Sequence, residues 1–391
     1  MTTWSVVKDD TREKRGQDSP LRLFPRFLPR MALLAALALV VVTLGAALTP
    51  VRPREPAEPP FSEQVRVSAL AETLRLKAAG EQLAQAAPGN GSGTGQPDFS
   101  RTVTLLTTQS RALLAPGDVP HDASTPFPSA TPSAASSPAP LPASAAGLAA
   151  DLAGSGRRRL ADAAAADGGM ARLLAAVGTA QLLQASALAA AAGAPAPAQA
   201  DPVQADPVQA DPASPLSGAC PSPEAAASSS SAGHDAPTGD ATLDGALAAT
   251  VRTEMETVYG YQVALTRLGG EAAKPAAEQL ARHEELVSAA ESLSRMHCAP
   301  VPPREAGYSL GQSFLAAPAT GLAGLETATL PVYADLVALS DGETRRWAIS
   351  GLLDAARRAV LWGADPGPVP GLTADPAAFP TLPAGSAAPL R

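Results

Sequence analysis

The chain has 391 residues, a net charge of −8 and a pI near 5.1, and the sequence shows no compact basic face. This balance argues against nucleic-acid binding. Aromatic residues make up only 4%, and 40 prolines, 32 glycines and abundant alanine limit the apolar area that long parts of the chain can bury. Since no run alternates like a strand, the sequence predicts an all-α protein with linkers.

The first predicted element is a membrane span over residues 31–49. This stretch, MALLAALALVVVTLGAALT, carries no charge, and its 19 residues at ~1.5 Å each nearly cross a hydrocarbon core of ~30 Å. The preceding residues 1–30 are rich in lysine and arginine, which predicts a cytoplasmic tail and an extracytoplasmic location for the rest of the chain. A cleaved signal peptide is the alternative interpretation, and it gives the same location.

The middle of the chain predicts alanine-rich helices over residues 60–192. A Pro/Ser-rich insert at 116–143 interrupts this region, and its composition predicts disorder. Because alanine buries little area, we expect these helices to pack weakly. Residues 193–240 form a Pro-rich linker in which ADPVQ repeats, a pattern typical of an extended spacer.

Helical signals are strongest in the C-terminal third. Residues 241–363 divide at glycines and prolines into four helices of roughly 20–27 residues, which predicts an antiparallel four-helix bundle. Residues 364–391 are Pro/Gly-rich and are interpreted as a tail.

Each of these four helices carries one ionisable residue on its apolar stripe: Glu254, His283, Glu326 and Asp354. In addition, Tyr261 and Tyr333 each follow a glutamate by seven residues, so the first and third helices repeat one pattern. Inward carboxylates and a histidine on four helices are typical of ferritin-like carboxylate metal sites.

These residues also carry a resemblance to a known family. The stretches TEMETVYGY, ARHEEL, GLETATLPVY and RRWAISGLLDAARRAVLWG resemble the ferritin-like domain of unknown function found in actinobacterial cell-envelope proteins. The resemblance covers about residues 240–372. It implies a ferritin-like four-helix bundle at the C-terminus and no known activity.

Two interpretations of the stripe residues follow. Metal-binding ferritin-like bundles supply Glu-x-x-His on two helices, but Leu280 stands three residues before His283, and Arg357 stands three after Asp354. We therefore expect no cofactor and a buried polar network, in which the two glutamates bond Tyr261, Tyr333, His283 or Arg357. Iron or manganese bound by Glu254, His283, Glu326 and Asp354 is the alternative.

The two cysteines, Cys220 and Cys298, are too few for a disulfide framework or a zinc site. Outside the cell they can form one disulfide, and two free thiols are the alternative.

No catalytic motif such as G-x-S-x-G and no phosphate-binding glycine loop occurs in the sequence. We therefore expect a membrane-anchored, non-enzymatic interaction or structural component of the cell envelope. Its expected partners are the membrane, through residues 31–49, and an unidentified envelope protein; a homodimer is left open. The alternative function is a metal-binding or redox ferritin-like protein.

Overall fold

In the structure, a computed structural model, helices are the only regular secondary structure among the residues that it describes, and no strand occurs there. This confirms the predicted all-α class. The described residues are 33, 35–41, 58–86, 98–114, 141–196, 241–373 and 375–382. The predicted tail 1–30, most of the 31–49 span, most of the 116–143 insert, linker residues 197–240 and the end of the C-terminal tail lie outside them.

The chain divides into two compact units, residues 1–58 and 59–391. In the first unit, residues 35–41 are helical, and Leu37, Leu39 and Val41 are exposed. In the second unit, Gly168–Ala191 and Pro318–Leu339 are long and apolar enough to cross a membrane. About two-thirds of the apolar stretch of the first helix and half of that of the second are buried within the protein, and the core helices of soluble proteins share that composition.

The second unit begins with four helices: α1 (Phe61–Ala86), α2 (Phe99–Ala112), α3 (Ala145–Ala165) and α4 (Gly168–Ala191). Asp98, Ser144 and Asp167 cap the N-termini of α2, α3 and α4, since each side chain accepts a hydrogen bond from a backbone N–H three residues later. α1 packs against α2 and α3, and α3 packs along α4.

Helices α3 and α4 approach closely because glycines face each other at their contact. A Cβ atom on Gly156 would lie 2.9 Å from the Gly178 carbonyl oxygen, and a Cβ atom on Gly178 would lie 2.8 Å from the Gly156 carbonyl oxygen. Small residues therefore bring the two backbones together, so that Leu160 and Leu174 are fully buried. Close backbone packing thus stabilises the alanine-rich region, in which each side chain buries little apolar area.

The C-terminal region contains the four predicted helices, α5 (Leu243–Leu265), α6 (Ala273–Met296), α8 (Pro318–Leu339) and α9 (Gly342–Leu361). A short helix that the sequence pattern missed, α7 (Gln312–Ala316), precedes α8. α5 packs against α6 and α8, and α8 packs against α9.

The two helical regions share one hydrophobic core. α4 packs against α8 and α9, and one cluster joins Leu174 of α4 to Leu247 of α5, Leu286 of α6 and Leu352 of α9. At the edge of this contact, Arg345 Nη1 donates a hydrogen bond to the carbonyl oxygen of Ala166 at the end of α3. Helices α1 to α4 therefore complete the core of the C-terminal helices.

The segment after α9 packs on the N-terminal helices, which the interpretation as a tail did not anticipate. Gln109 donates to the Pro368 carbonyl at 2.9 Å, Arg172 to the Gly371 carbonyl at 2.9 Å, and Arg111 to the Phe379 carbonyl at 2.6 Å. Val369 lies in an apolar cluster with residues of α4. These contacts hold the described part of the segment across α2 and α4.

Candidate functional site: a buried polar centre

Six ionisable or phenolic side chains meet between α5, α6, α8 and α9, and we call this group the polar centre. Its members are Glu254, Tyr261, His283, Glu326, Tyr333 and Arg358. Their exposed fractions range from 0% to 5%. Because an unpaired buried charge costs several kcal/mol, such a group requires internal partners.

His283 bridges the two glutamates. Its Nδ1 lies 2.6 Å from Glu254 Oε2, and its Nε2 lies 2.8 Å from Glu326 Oε1. Both ring nitrogens can donate at once only when the imidazole is protonated, and a carboxylate is present to accept each proton. The geometry therefore fits a cationic histidine between two anions.

The two tyrosines cross between the helices. Tyr261 of α5 donates its hydroxyl to Glu326 of α8 at 2.6 Å, and Tyr333 of α8 donates to Glu254 of α5 at 2.7 Å. In each helix the glutamate and the tyrosine are seven residues apart and lie on the same face. The sequence repeat thus becomes a reciprocal pair of hydrogen bonds that joins α5 to α8.

Arg358 supplies the second cation. Its Nε donates to Glu326 Oε2 at 2.8 Å, while its Nη2 has no hydrogen-bond partner in the described part of the chain. Trp362, at the end of α9, donates from Nε1 to the Tyr261 hydroxyl at 2.6 Å. With His283 protonated, two carboxylates and two cations make the polar centre neutral overall.

The electrostatics favour these charge states. Burial opposes the charge on His283, but its hydrogen bonds to Glu254 and Glu326 outweigh burial and raise its pKa above the ordinary value. Burial acts to raise the pKa of Glu326, yet the hydrogen bond from His283 and the charge of Arg358 hold that pKa below its ordinary value. Burial and the adjacent carboxylates raise the pKa values of Tyr261 and Tyr333, so both phenols stay protonated as donors.

The structure brings Glu254, His283 and Glu326 together, but it does not place Asp354 with them. Asp354 bonds Arg357 at 3.1 Å and lies 3.7 Å from Arg282, and its side chain is 35% exposed. The prediction that Asp354 joins the inward group was therefore wrong, because its face of α9 points toward α6 at the protein surface.

The prediction that Arg357 bonds the glutamates was also wrong, because its neighbour Arg358 donates to Glu326 instead. One helical residue corresponds to a rotation of about 100°, so neighbouring arginines cannot serve the same face. The spacing of Trp347, Gly351, Arg358 and Trp362 is the signal that would have selected Arg358 and Trp362.

The polar centre does not fit the iron or manganese that the sequence leaves open as an alternative. Each of the four carboxylate oxygens of Glu254 and Glu326 already accepts a hydrogen bond from a tyrosine, from His283 or from Arg358. The Arg358 guanidinium also lies where it would repel a cation. No group of three or more histidine, cysteine, aspartate or glutamate residues within the described ranges could hold a metal ion.

Only one of the two cysteines of the predicted disulfide, Cys298, lies among the described residues. Cys298 is disulfide-bonded and follows α6 with a φ of 56°, where the Ala299 N–H donates to the Ser294 carbonyl at 2.9 Å. This is a left-handed helix C-terminus. Cys220 lies outside the described residues, so its pairing with Cys298 stays a prediction.

Comparison with known proteins adds one match, which covers the polar centre. A family model described as a domain of unknown function (DUF4439) matches residues 246–374. No curated protein and no solved structure matches the chain. The match fits the predicted likeness to a domain of unknown function, while the ferritin-like and envelope parts of that prediction stay predictions. The C-terminal region, from α5 to just beyond α9, is thus similar to a family whose description states no activity.

Proposed function

We propose that this protein is a membrane-anchored, extracytoplasmic component of the cell envelope that presents a ferritin-like helical bundle for interaction and performs no catalysis. The observation that carries the proposal is the saturation of the polar centre. All four oxygens of Glu254 and Glu326 accept internal hydrogen bonds, and both residues are at most 1% exposed. A substrate or cofactor would have to displace these donors from a site that water does not reach.

The arrangement supports a structural role for the residues that ferritin-like proteins use as ligands. A neutral set of two carboxylates, an imidazolium and a guanidinium satisfies buried charges internally and favours one relative placement of four helices. Charge pairs then hold the helices together in the way that a metal ion bound between them would. This leaves the outer surface of the bundle as the part available for partners.

The apolar stretch 31–49 with its basic flank supports the membrane anchor. Epitope-tagged full-length protein is expected to stay in the membrane pellet after an alkaline carbonate wash. On spheroplasts, added protease is expected to remove a C-terminal epitope and leave an N-terminal one. Release of the protein by carbonate, or protection of the C-terminal epitope, would contradict the proposal.

Metal content separates the proposed function from metal binding. The full-length protein, purified in detergent and incubated with Fe(II) or Mn(II) before gel filtration, is expected to hold less than about 0.1 metal ion per chain, because the carboxylates are occupied by protein donors. Glu254→Gln is the matched variant. A stoichiometric metal content that this variant loses would establish the competing function.

A further inference from the structure

A cavity of about 530 Å³ opens on the outer side of α5 and α6, beneath the segment that follows α6. Two tyrosines line it together: Tyr259 of α5 and Tyr308 of the connecting segment, with ring centroids 5.7 Å apart and planes inclined at 54°. Met255 and Val287 contribute an apolar floor. A concave surface with an aromatic pair, of this volume, is typical of a binding site.

The charge around the cavity is negative. Glu284 and Glu305 line it. Burial and the negative charges of Glu305 and Glu256 raise the pKa of the Tyr308 phenol. The lining arginine, Arg304, already pairs with Glu291 at 3.0 Å. Within the described ranges, Glu256, Glu284 and Glu305 have no lysine or arginine within 4.0 Å.

We propose that this cavity binds an arginine or lysine side chain from a basic segment of a partner protein. The aromatic pair and the unpaired carboxylates together match a cation that also carries an apolar stem, because the stem can cover the floor while the charge meets the carboxylates. Tyrosine and arginine are enriched among the residues that dominate binding at protein interfaces, and complementary charge across an interface favours the correct partner. This inference rests on the proposed interaction function and names the chemistry of its partner.

The probe for the test is a hexa-arginine peptide, and an uncharged hexa-citrulline peptide of the same length is its control. Isothermal titration calorimetry on the full-length protein in uncharged detergent micelles is expected to show saturable binding of hexa-arginine and at least about tenfold weaker binding of hexa-citrulline. Binding is expected to weaken with added salt, since the carboxylates of Glu284 and Glu305 are exposed.

Variants locate the binding. Tyr308→Ala is expected to weaken hexa-arginine binding about tenfold, whereas Tyr308→Phe keeps the ring and retains binding within about twofold. Glu305→Gln is expected to weaken it about threefold, and the matched control Glu343→Gln, which removes an exposed charge on α9, is expected to change it by less than about 1.5-fold. Because Glu305 is exposed, its variant tests the site without disturbing the core.

Two results would overturn the inference: no binding of hexa-arginine at about 1 mM, or equal binding by Glu305→Gln, Tyr308→Ala and Glu343→Gln. The second result would assign binding to the overall acidity of the chain. Either result leaves the membrane and metal experiments unaffected, so failure of the partner chemistry can be told apart from failure of the proposed function.

Discussion

The N-terminal and C-terminal helices share a core but differ in how they pair buried charges. In α3, Arg159 is 3% exposed, and only its Nη2 is paired, at 3.0 Å from Asp162. Its Nε and Nη1, and the hydroxyl of Thr179 on α4, have no hydrogen-bond partner in the described part of the chain. In the polar centre, by contrast, every carboxylate oxygen of Glu254 and Glu326 has a donor, although Arg358 Nη2 has no partner in the described part of the chain.

This difference indicates which forces specify each region. In α3 and α4, shape dominates, since facing glycines and alanines let the two backbones meet. In the C-terminal helices, complementary charges fix which faces meet, because a rotation of one helix would leave a buried charge unpaired.

The neighbouring arginines of α9 provide the sharpest test. Arg358→Met is expected to lower the free energy of unfolding by about 3–5 kcal/mol, because it removes the guanidinium from the buried Glu326. Arg357→Met, one residue earlier and one-third exposed, is expected to change it by less than about 0.5 kcal/mol. Guanidinium unfolding of the two full-length variants measures the difference. Equal effects would show that charge pairing does not specify the C-terminal region.

The glycine contact of α3 and α4 is tested by adding one methyl group. Gly156→Ala is expected to destabilise by about 1–3 kcal/mol, since its Cβ would lie 2.8 Å from Leu182 Cγ and 2.9 Å from the Gly178 carbonyl oxygen. Gly154→Ala in the same helix meets only Arg158 Nη1, at 3.5 Å, and is expected to stabilise by up to about 1 kcal/mol. Thermal unfolding of both variants measures the difference in stability. A Gly156→Ala protein as stable as Gly154→Ala would refute the idea that shape dominates the packing of α3 against α4.

A single hydroxyl of the polar centre should have a smaller effect. Tyr333→Phe removes the donor to Glu254 Oε1 and is expected to cost about 1–2 kcal/mol, because one buried carboxylate oxygen loses its partner. Tyr259→Phe on α5 lies outside the polar centre and serves as the control, with no measurable change expected. Denaturant midpoints compare the two, and a neutral Tyr333→Phe would mean that the crossed hydrogen bonds contribute no net stability.

The dependence of stability on pH is the subtlest expected effect. The raised pKa of His283 contributes stability that is complete below the ordinary value of 6.5 and is lost as pH rises through the folded-state pKa. The lowered pKa of Glu326 contributes stability that is complete above the ordinary value of 4.5 and is lost as pH falls through the folded-state pKa. Both contributions are therefore complete between pH 4.5 and 6.5.

His283→Gln is expected to remove the loss on the alkaline side, so the stability difference from wild type should shrink as pH rises above 6.5. Guanidinium midpoints measured across pH 5 to 9 test this expectation. A difference that does not shrink above pH 6.5 would show that folding does not raise the pKa of His283.

Much of the C-terminal region could be predicted from sequence because its signals are local. The seven-residue interval from Glu254 to Tyr261, and again from Glu326 to Tyr333, places each pair on one helical face, and glycines and prolines mark the helix ends. These patterns predicted four helices and three of the buried ionisable residues. They could not choose between Arg357 and Arg358, because a polar residue at the edge of an apolar stripe can point either into the core or toward solvent.

The amino-acid sequence alone predicted the four long C-terminal helices and the inward positions of Glu254, His283 and Glu326, since both depend on periodicity along one segment. The partners follow from tertiary packing: Tyr261 bonds Glu326 and Tyr333 bonds Glu254, and Asp354 stays at the surface. Packing also places Pro368 and Phe379 beside the N-terminal helices. Those choices depend on the free energy of burying charges from distant segments together. No single segment of the chain contains that information.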